Sequence, residues 1–312
     1  MYRSQKIAII IPCLNEENFI QDTLKGIPTF ADKIYVINDG STDATQKIIT
    51  SYRKKDKRII LIGNSINMGN GYSVTKGYKQ AIQDNMDIAC IVAGDNQCRI
   101  EYLENLIEKV VLHECDYAKA NRFYHAKELN SMPHFRKFGN VAMSLVSKFA
   151  SGYYSITDPL NSYSALSAST LKRMELDSIS HRYDFENSLL FHLYMVGAKI
   201  KDVPVPARYD GEISDIKLKT YLPTVTKTII KTYIKRVYYK YILFTFHPIA
   251  IFLIAGFILL LFGIGYGLKI MFEGSRGFIS TPATVMLSVV PFITGFQLIL
   301  NAIVLDIQNE PK

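Results

Sequence analysis

The chain has no tryptophan and only four cysteines among its 312 residues. Cys13, Cys90, Cys98 and Cys115 make no Cys-x-x-Cys pair and no zinc-like spacing, which excludes a disulfide framework or a zinc module. Cys13 and Cys90 fall in or beside apolar runs and read as buried, reduced thiols. No signal peptide is expected, because the apolar run in "MYRSQKIAIIIPC" is short, stops at Pro12 and has no small-residue cleavage site after it. Internal repeats and low-complexity segments are absent too.

Charge is missing from two long stretches. Residues 242–268 carry none if His247 is neutral, and residues 278–305 carry none at all. Each exceeds the roughly 20 apolar residues that span a bilayer. Only residues 269–277 lie between them, so a transmembrane hairpin is expected over 242–306; globular helices rarely run this far without a charge. Acids are missing from 217–241, which holds seven Lys/Arg residues, against Lys269 and Arg276 between the spans. The positive-inside rule then predicts an integral membrane protein of two spans, with its large domain and both termini cytoplasmic. The net charge of +8 invites a nucleic-acid partner. Its concentration beside the first span fits the anionic lipid bilayer better. Lys227, Lys231 and Lys235 recur at helical spacing while Ile229, Ile230, Tyr233 and Ile234 lie largely on other sides, the pattern of a helix lying in the membrane interface over 213–241.

The first half alternates short apolar runs with helix-like stretches. "KIAIIIP" (6–12) precedes a helix from Glu16 to Ile27, and "KIYVIN" (33–38) one from Thr42 to Lys54. "RIILIG" (58–63) precedes one from Tyr72 to Asn85, and "DIACIVA" (87–93) one from Ile100 to Leu112. Continuous Ile/Val runs imply strands covered on both faces, hence a mostly parallel, doubly wound α/β sheet. Further on, "DYAKANRF", "SYSALSA" and "AKIKDVPVPARY" read as strands, and "HFRKFGNVAMSLVSKFA" and "YDFENSLLFHLYMVG" as amphipathic helices. Ligands of such sheets sit beyond the carboxyl ends of the strands, where this chain places "CLNEE", "NDGSTDAT", "NMGNG" and "GDNQ".

Each cluster has two readings. In "NDGSTDAT" Gly40 allows a tight turn, Ser41 or Thr42 can cap a helix and Asp43 suits its first turn; alternatively Asp39 accepts a hydrogen bond from the base or ribose of a nucleotide. Gly69 and Gly71 follow the third strand, not the first, which argues against a nicotinamide-type dinucleotide site and for a backbone that passes close to a ligand. Asp95 alone would be an ordinary cap. With Gln97 it offers a carboxylate and an amide oxygen, enough for Mg2+ or Mn2+ when a diphosphate completes the shell.

"IPCLNEE", "NDGSTDAT", "NMGNGYSVTKG" and "VAGDNQ", in this order and spacing, resemble family 2 glycosyltransferases of the GT-A fold. With the two C-terminal spans the chain resembles the dolichol- or polyprenyl-phosphate sugar synthases of that family. The likeness continues in "RFYHAKELNSMPHFRKFGN", "ITDPLNSYSAL", "YDFENSLL" and "VPVPARYDGEIS". It implies a GT-A domain over 1–212. It also implies donor contacts from Pro12, Leu14, Asn15, Glu16, Asn38, Asp39, Asn67, Gly69, Gly71, Asp95 and Asn96, with a metal held by Asp95 and Gln97. Three positions depart from the family pattern. Ala93 replaces the first acid of Asp-x-Asp-x-Gln, Asn38 replaces the first of Asp-Asp-Gly-Ser, and Glu212-Ile213-Ser214-Asp215 lacks the lysine of Gly-x-Ser-Lys.

The resemblance implies an inverting, metal-dependent transfer of one sugar from a UDP- or GDP-sugar to polyprenyl or dolichyl phosphate at the cytoplasmic face. Arg136, Arg208 and Ser214 are candidates for the acceptor phosphate. Asp158 matches the family's acidic position, where it would orient the acceptor or take its last proton; capping a turn before Pro159 is the plain alternative. A phosphate monoester, with a second pKa near 6, needs no strong base. Two rivals remain. A processive polysaccharide synthase would want a Gln-x-x-Arg-Trp motif, which a chain without tryptophan lacks. A catalytically degenerate membrane-anchored binding protein would fit the changes at Ala93 and Asn38. The sugar, the base and a homo-oligomeric state stay open.

Overall fold

A computed structural model describes residues 1–123, 134–182, 184–206, 226, 229–243 and 247–312, the side chains of 134–140 and 142 excepted. The chain forms two compact units, Met1–Tyr233 with Pro311–Lys312, and Ile234–Glu310.

The first unit is built on seven strands: β1 (Ile7–Cys13), β2 (Lys33–Asn38), β3 (Ile59–Gly63), β4 (Ile88–Ile91), β5 (Tyr117–Asn121), β6 (Ser164–Ser167) and β7 (Ile200–Pro204). They lie in one sheet in the order β3-β2-β1-β4-β6-β5-β7. The helices are α1 (Ile20–Gly26), α2 (Thr45–Arg53), α3 (Asn70–Gln83), α4 (Leu103–Val111), α5 (His134–Ser151), α6 (Ala168–Arg173) and α7 (Phe185–Met195). The unbroken apolar run of β1 serves both layers. Ile7, Ile9 and Ile11 pack with Ile20, Leu24 and Leu106 on one face, and Ala8 and Ile10 with Val74, Tyr78 and Leu189 on the other. Only β6 runs antiparallel to its neighbours β4 and β5; the remaining pairs are parallel. Six carboxyl ends therefore share one edge of the sheet, and β6 begins there.

The first two helices start later than the pattern predicts: α1 at Ile20 instead of Glu16, and α2 at Thr45 instead of Thr42. The intervening backbone groups are taken by the neighbouring loop. Asn15 N–H donates to Ser41 Oγ (3.0 Å), Glu16 N–H to Thr45 Oγ1 (2.8 Å) and Glu17 N–H to Asp43 Oδ2 (3.1 Å), while Thr42 N–H donates to Asn15 Oδ1 (2.9 Å). Ser41 and Thr42 thus tie two loops together and do not cap α2, whose cap residue is Ala44. Asp43 likewise precedes the first turn.

In the second unit a π-helical segment, Val237–Leu243, precedes α8 (Pro248–Ser275) and α9 (Pro282–Gln308). Both helices are long and apolar enough to cross a membrane. Most of their apolar side chains, among them Ile254, Phe257, Ile258, Leu261, Val290 and Phe296, are exposed, which a helix buried in a soluble core would not tolerate. The pair is close-packed at glycines: a Cβ on Gly295 would sit 2.6 Å from Leu260 N, and one on Gly263 2.7 Å from Phe292 N, as small residues permit in helix–helix seams of membranes. Arg236, fully buried, makes a two-pronged ion pair with Asp306 at 2.7 Å on each prong, and the Tyr241 hydroxyl donates to the same carboxylate.

Candidate active site

At the sheet edge the ends of β1, β2, β3 and β4 are bound into one surface. Asp39 N–H donates to Cys13 O (2.9 Å) and Asn64 N–H to Asn38 O (2.8 Å). Thr23 Oγ1 donates to Gly94 O (3.1 Å), and a Cβ on Gly94 would lie 3.2 Å from Pro12 O. Asn38 and Asp39 are both buried. Asn38 Oδ1 accepts Ser41 N–H at 3.0 Å. The Asp39 carboxylate accepts Asn64 Nδ2 (2.7 Å), Met68 N–H (2.9 Å) and Gly69 N–H (2.8 Å). Its position organises the loop carrying Asn67, Gly69 and Gly71. Burial alone would raise the Asp43 carboxyl, but hydrogen bonds from Thr45 and Glu17 outweigh it and hold the group below its ordinary range.

The glycines of that loop are required by the chain itself. Gly69 has φ +103°, and a Cβ there would meet His181 O at 2.3 Å; one on Gly71 would meet Ser180 O at 2.2 Å. Tyr72 N–H also donates to His181 O (3.3 Å). The close approach is made by the chain's own 180–182 segment, a partner that no local pattern reveals.

Asp95 and Gln97 follow β4. Asn96 between them takes a left-handed backbone (φ +58°), which asparagine tolerates, and Gln97 N–H donates to Asp95 Oδ1 at 3.0 Å. This tight turn brings both side chains to a cleft of about 130 Å³. Its walls include Ala93, Arg99, Arg122, Asn161 and Pro206, so the ends of β4, β5 and β7 and the start of β6 converge there. Cys98 also borders it; Ala93 N–H donates to its Sγ (3.4 Å), and burial pushes the thiol up to about 12. Among the described residues no three His, Cys, Asp or Glu side chains gather to hold a metal. Asp95 and Gln97 supply two hard oxygen donors, a set that suits Mg2+ or Mn2+ when phosphate oxygens from a substrate add to it.

Asp158 lies behind this cleft, 1 % exposed. Its Oδ2 accepts Arg122 Nε (2.7 Å) and its Oδ1 accepts Arg122 Nη2 (3.1 Å), a fork-on-carboxylate pair. The side chain therefore grips a cation and caps no turn. Asp202 of β7 accepts Thr157 N–H (2.7 Å) and Asn121 Nδ2 (3.0 Å), tying the residue before Asp158 to the end of β5. Lys119 of β5 is buried beside this group and donates to Asn161 O. Burial lowers its pKa to about 8, although Asp158, Glu186 and Asp202 pull the other way. Burial raises the carboxyls of Glu186 and Asp202.

The structure thus brings Pro12, Asn38, Asp39, Gly69 and Asp95 to one edge, with Leu14, Asn15, Glu16, Asn67 and Asn96 on its loops. Arg208 and Ser214 lie outside the described residues, as does the side chain of Arg136. Sequence reasoning missed Arg122, Arg99 and Asn161. For Arg122 a signal existed: "ANRF" ends a strand of the same parallel set, so its cation had to emerge at the ligand edge.

The profile of glycosyl transferase family 2 matches residues 8–175. The chain is 27 % identical over 216 residues to a UDP-N-acetylglucosamine–dolichyl-phosphate N-acetylglucosaminyltransferase of Methanococcus voltae, covering 65 % of this chain and 86 % of that one. It is 24 % identical over 203 residues to an undecaprenyl-phosphate mannosyltransferase of Micrococcus luteus, covering 64 % and 82 %. Among solved structures it is similar to glucosyl-3-phosphoglycerate synthase of Mycobacterium tuberculosis bound to Mn2+, UDP-glucose and phosphoglyceric acid. The TM-score is 0.55 at 17 % identity, with 75 % of this chain and 80 % of that chain covered.

Proposed function

The chain belongs to glycosyl transferase family 2, and from that premise we propose that it moves a single sugar from a nucleotide-diphosphate donor to a polyprenyl or dolichyl phosphate at the cytoplasmic face of a membrane. The observation that carries this reading is the cleft joining Asp95 and Gln97 to the Arg122–Asp158 pair. Two substrates of like charge must meet in this reaction, a diphosphate leaving and a phosphate attacking, and the cleft offers separate polar groups for each. A divalent cation bound by Asp95 and Gln97 would neutralise charge on the departing nucleoside diphosphate.

The remaining roles belong to the protein. The strand-end loops, fixed by Asp39 and Asn15, form the donor side. Arg122, held in one orientation by the Asp158 carboxylate, presents a guanidinium edge to phosphate oxygens in the cleft. Asp158 is then a positioning residue: its oxygens are occupied by Arg122, and a phosphate nucleophile already ionised at pH 7 does not require it as a base. Displacement at the anomeric carbon by that phosphate inverts its configuration. Arg136, Arg208 and Ser214 add contacts to the lipid phosphate, and the apolar α8 and α9, with the basic segment before them, hold the enzyme at its lipid acceptor.

The test is a panel of radiolabelled UDP- and GDP-sugars incubated with membranes containing the protein and undecaprenyl or dolichyl phosphate. Label entering the organic extract supports the proposal, and no incorporation from any donor ends it. Asp95→Ala, half-exposed in a turn, should abolish transfer while leaving the protein folded and membrane-bound; wild-type turnover in that variant removes the metal assignment.

A further inference from the structure

Arg99 has no part in the scheme above, yet it lines the same cleft as Asp95 and Gln97. Its backbone is fixed, because the buried Tyr163 hydroxyl donates to Arg99 O at 3.0 Å. Among the described residues its side chain has a single ion pair, with Glu101 at 3.5 Å, the outer limit of a hydrogen bond, and Glu101 is 63 % exposed. The Arg99 Nε–H is buried with no acceptor among the described residues, an arrangement that proteins avoid unless something else completes it.

The charges of the cleft point the same way. Arg122 is offset by Asp158, and Ala93 contributes no charge. Asp95 and Arg99 line the same small space, where Ala93 stands in place of the acid of the family pattern. A guanidinium that lines a cleft and is held only by an exposed acid at 3.5 Å takes an oxyanion, and its fork geometry matches phosphate oxygens.

We infer that Arg99 is a phosphoryl-binding residue of this cleft. Its guanidinium binds an oxygen of either the donor diphosphate or the lipid phosphate. Naming those two sources rests on the transferase reading; the phosphoryl chemistry does not.

The experiment uses the full-length protein in nanodiscs, titrated calorimetrically with UDP, with GDP and with farnesyl phosphate, each with and without Mg2+. Arg99→Ala should weaken binding of one class of probe on the order of 10- to 100-fold, as expected for loss of a charge-assisted hydrogen bond. Arg99→Lys, which keeps the charge without the fork, should recover part of it. Weakening confined to UDP or GDP assigns the donor, and weakening confined to farnesyl phosphate assigns the acceptor. Unchanged binding of all three in Arg99→Ala, or no binding of any of them by the wild type, overturns the assignment. Arg99→Gln and a melting curve for each variant separate a binding loss from a folding loss. If the wild type transfers no sugar but its phosphoryl binding still depends on Arg99, the transferase reading fails and this one stands.

Discussion

Replacing Arg122 by alanine removes the partner of a carboxylate that is 1 % exposed and accepts Nε at 2.7 Å and Nη2 at 3.1 Å. Breaking a fully buried ion pair by deleting one member costs about 3–5 kcal/mol. Arg122 is itself 36 % exposed, so part of the Asp158 charge is screened once the side chain is gone, and about 2–3 kcal/mol is the better figure. For a globular unit of this size each kcal/mol moves the melting point by about 2–4 °C, so Arg122→Ala should melt roughly 4–12 °C lower. Asp158→Asn should cost less, because the amide oxygen still accepts from Arg122. The double variant should cost less than the sum of the two, because the second substitution removes a group the first has already left unpaired. Calorimetric melting of detergent-solubilised protein measures this; tryptophan fluorescence cannot, since the chain has none. Strict additivity of the two single effects would refute the pairing, and full transferase activity in Arg122→Ala would refute its role in the cleft.

Other consequences are equally direct. Gly71→Ala puts a Cβ 2.2 Å from Ser180 O, so it should lower both stability and nucleotide affinity through displacement of the 67–71 loop, read by melting and by UDP or GDP titration; an unperturbed variant would show that the 180–182 segment moves freely. Lys119 has a folded pKa of about 8 against 10.5 for a free lysine. Between those values the unfolded chain binds more protons, so this group's contribution rises with pH from about 8 to 10.5, by roughly 1–3 kcal/mol, and is lost as pH falls through 8. Lys119→Met should flatten that part of a stability–pH profile, and an identical slope would contradict it. In the second unit Arg236→Ala should leave the buried Asp306 carboxylate without its guanidinium, at a cost of about 3–5 kcal/mol, whereas Arg236→Met with Asp306→Leu should cost less than either change alone. SDS titration of helicity separates the two outcomes.

The sequence by itself determined the layers and the edge at which the candidate site lies. Both faces of β1 are apolar because a helix layer covers each, and that pattern predicts a mostly parallel sheet, as the strand pairing shows. The apolar stretches at 242–268 and 278–305 likewise specify two long helices by length and composition, because the bilayer's thickness sets a local requirement. Only the tertiary structure decided what each polar group there is for. Gly69 and Gly71 accommodate Ser180 and His181, Asp39 holds a loop, Asp158 holds Arg122, and Arg99 Nε meets no acceptor among the described residues. Each of these partners lies tens of residues away along the chain. A sequence pattern records which residues can hydrogen-bond or carry charge, but whether those groups are already satisfied depends on contacts that exist only once distant strands have been laid side by side.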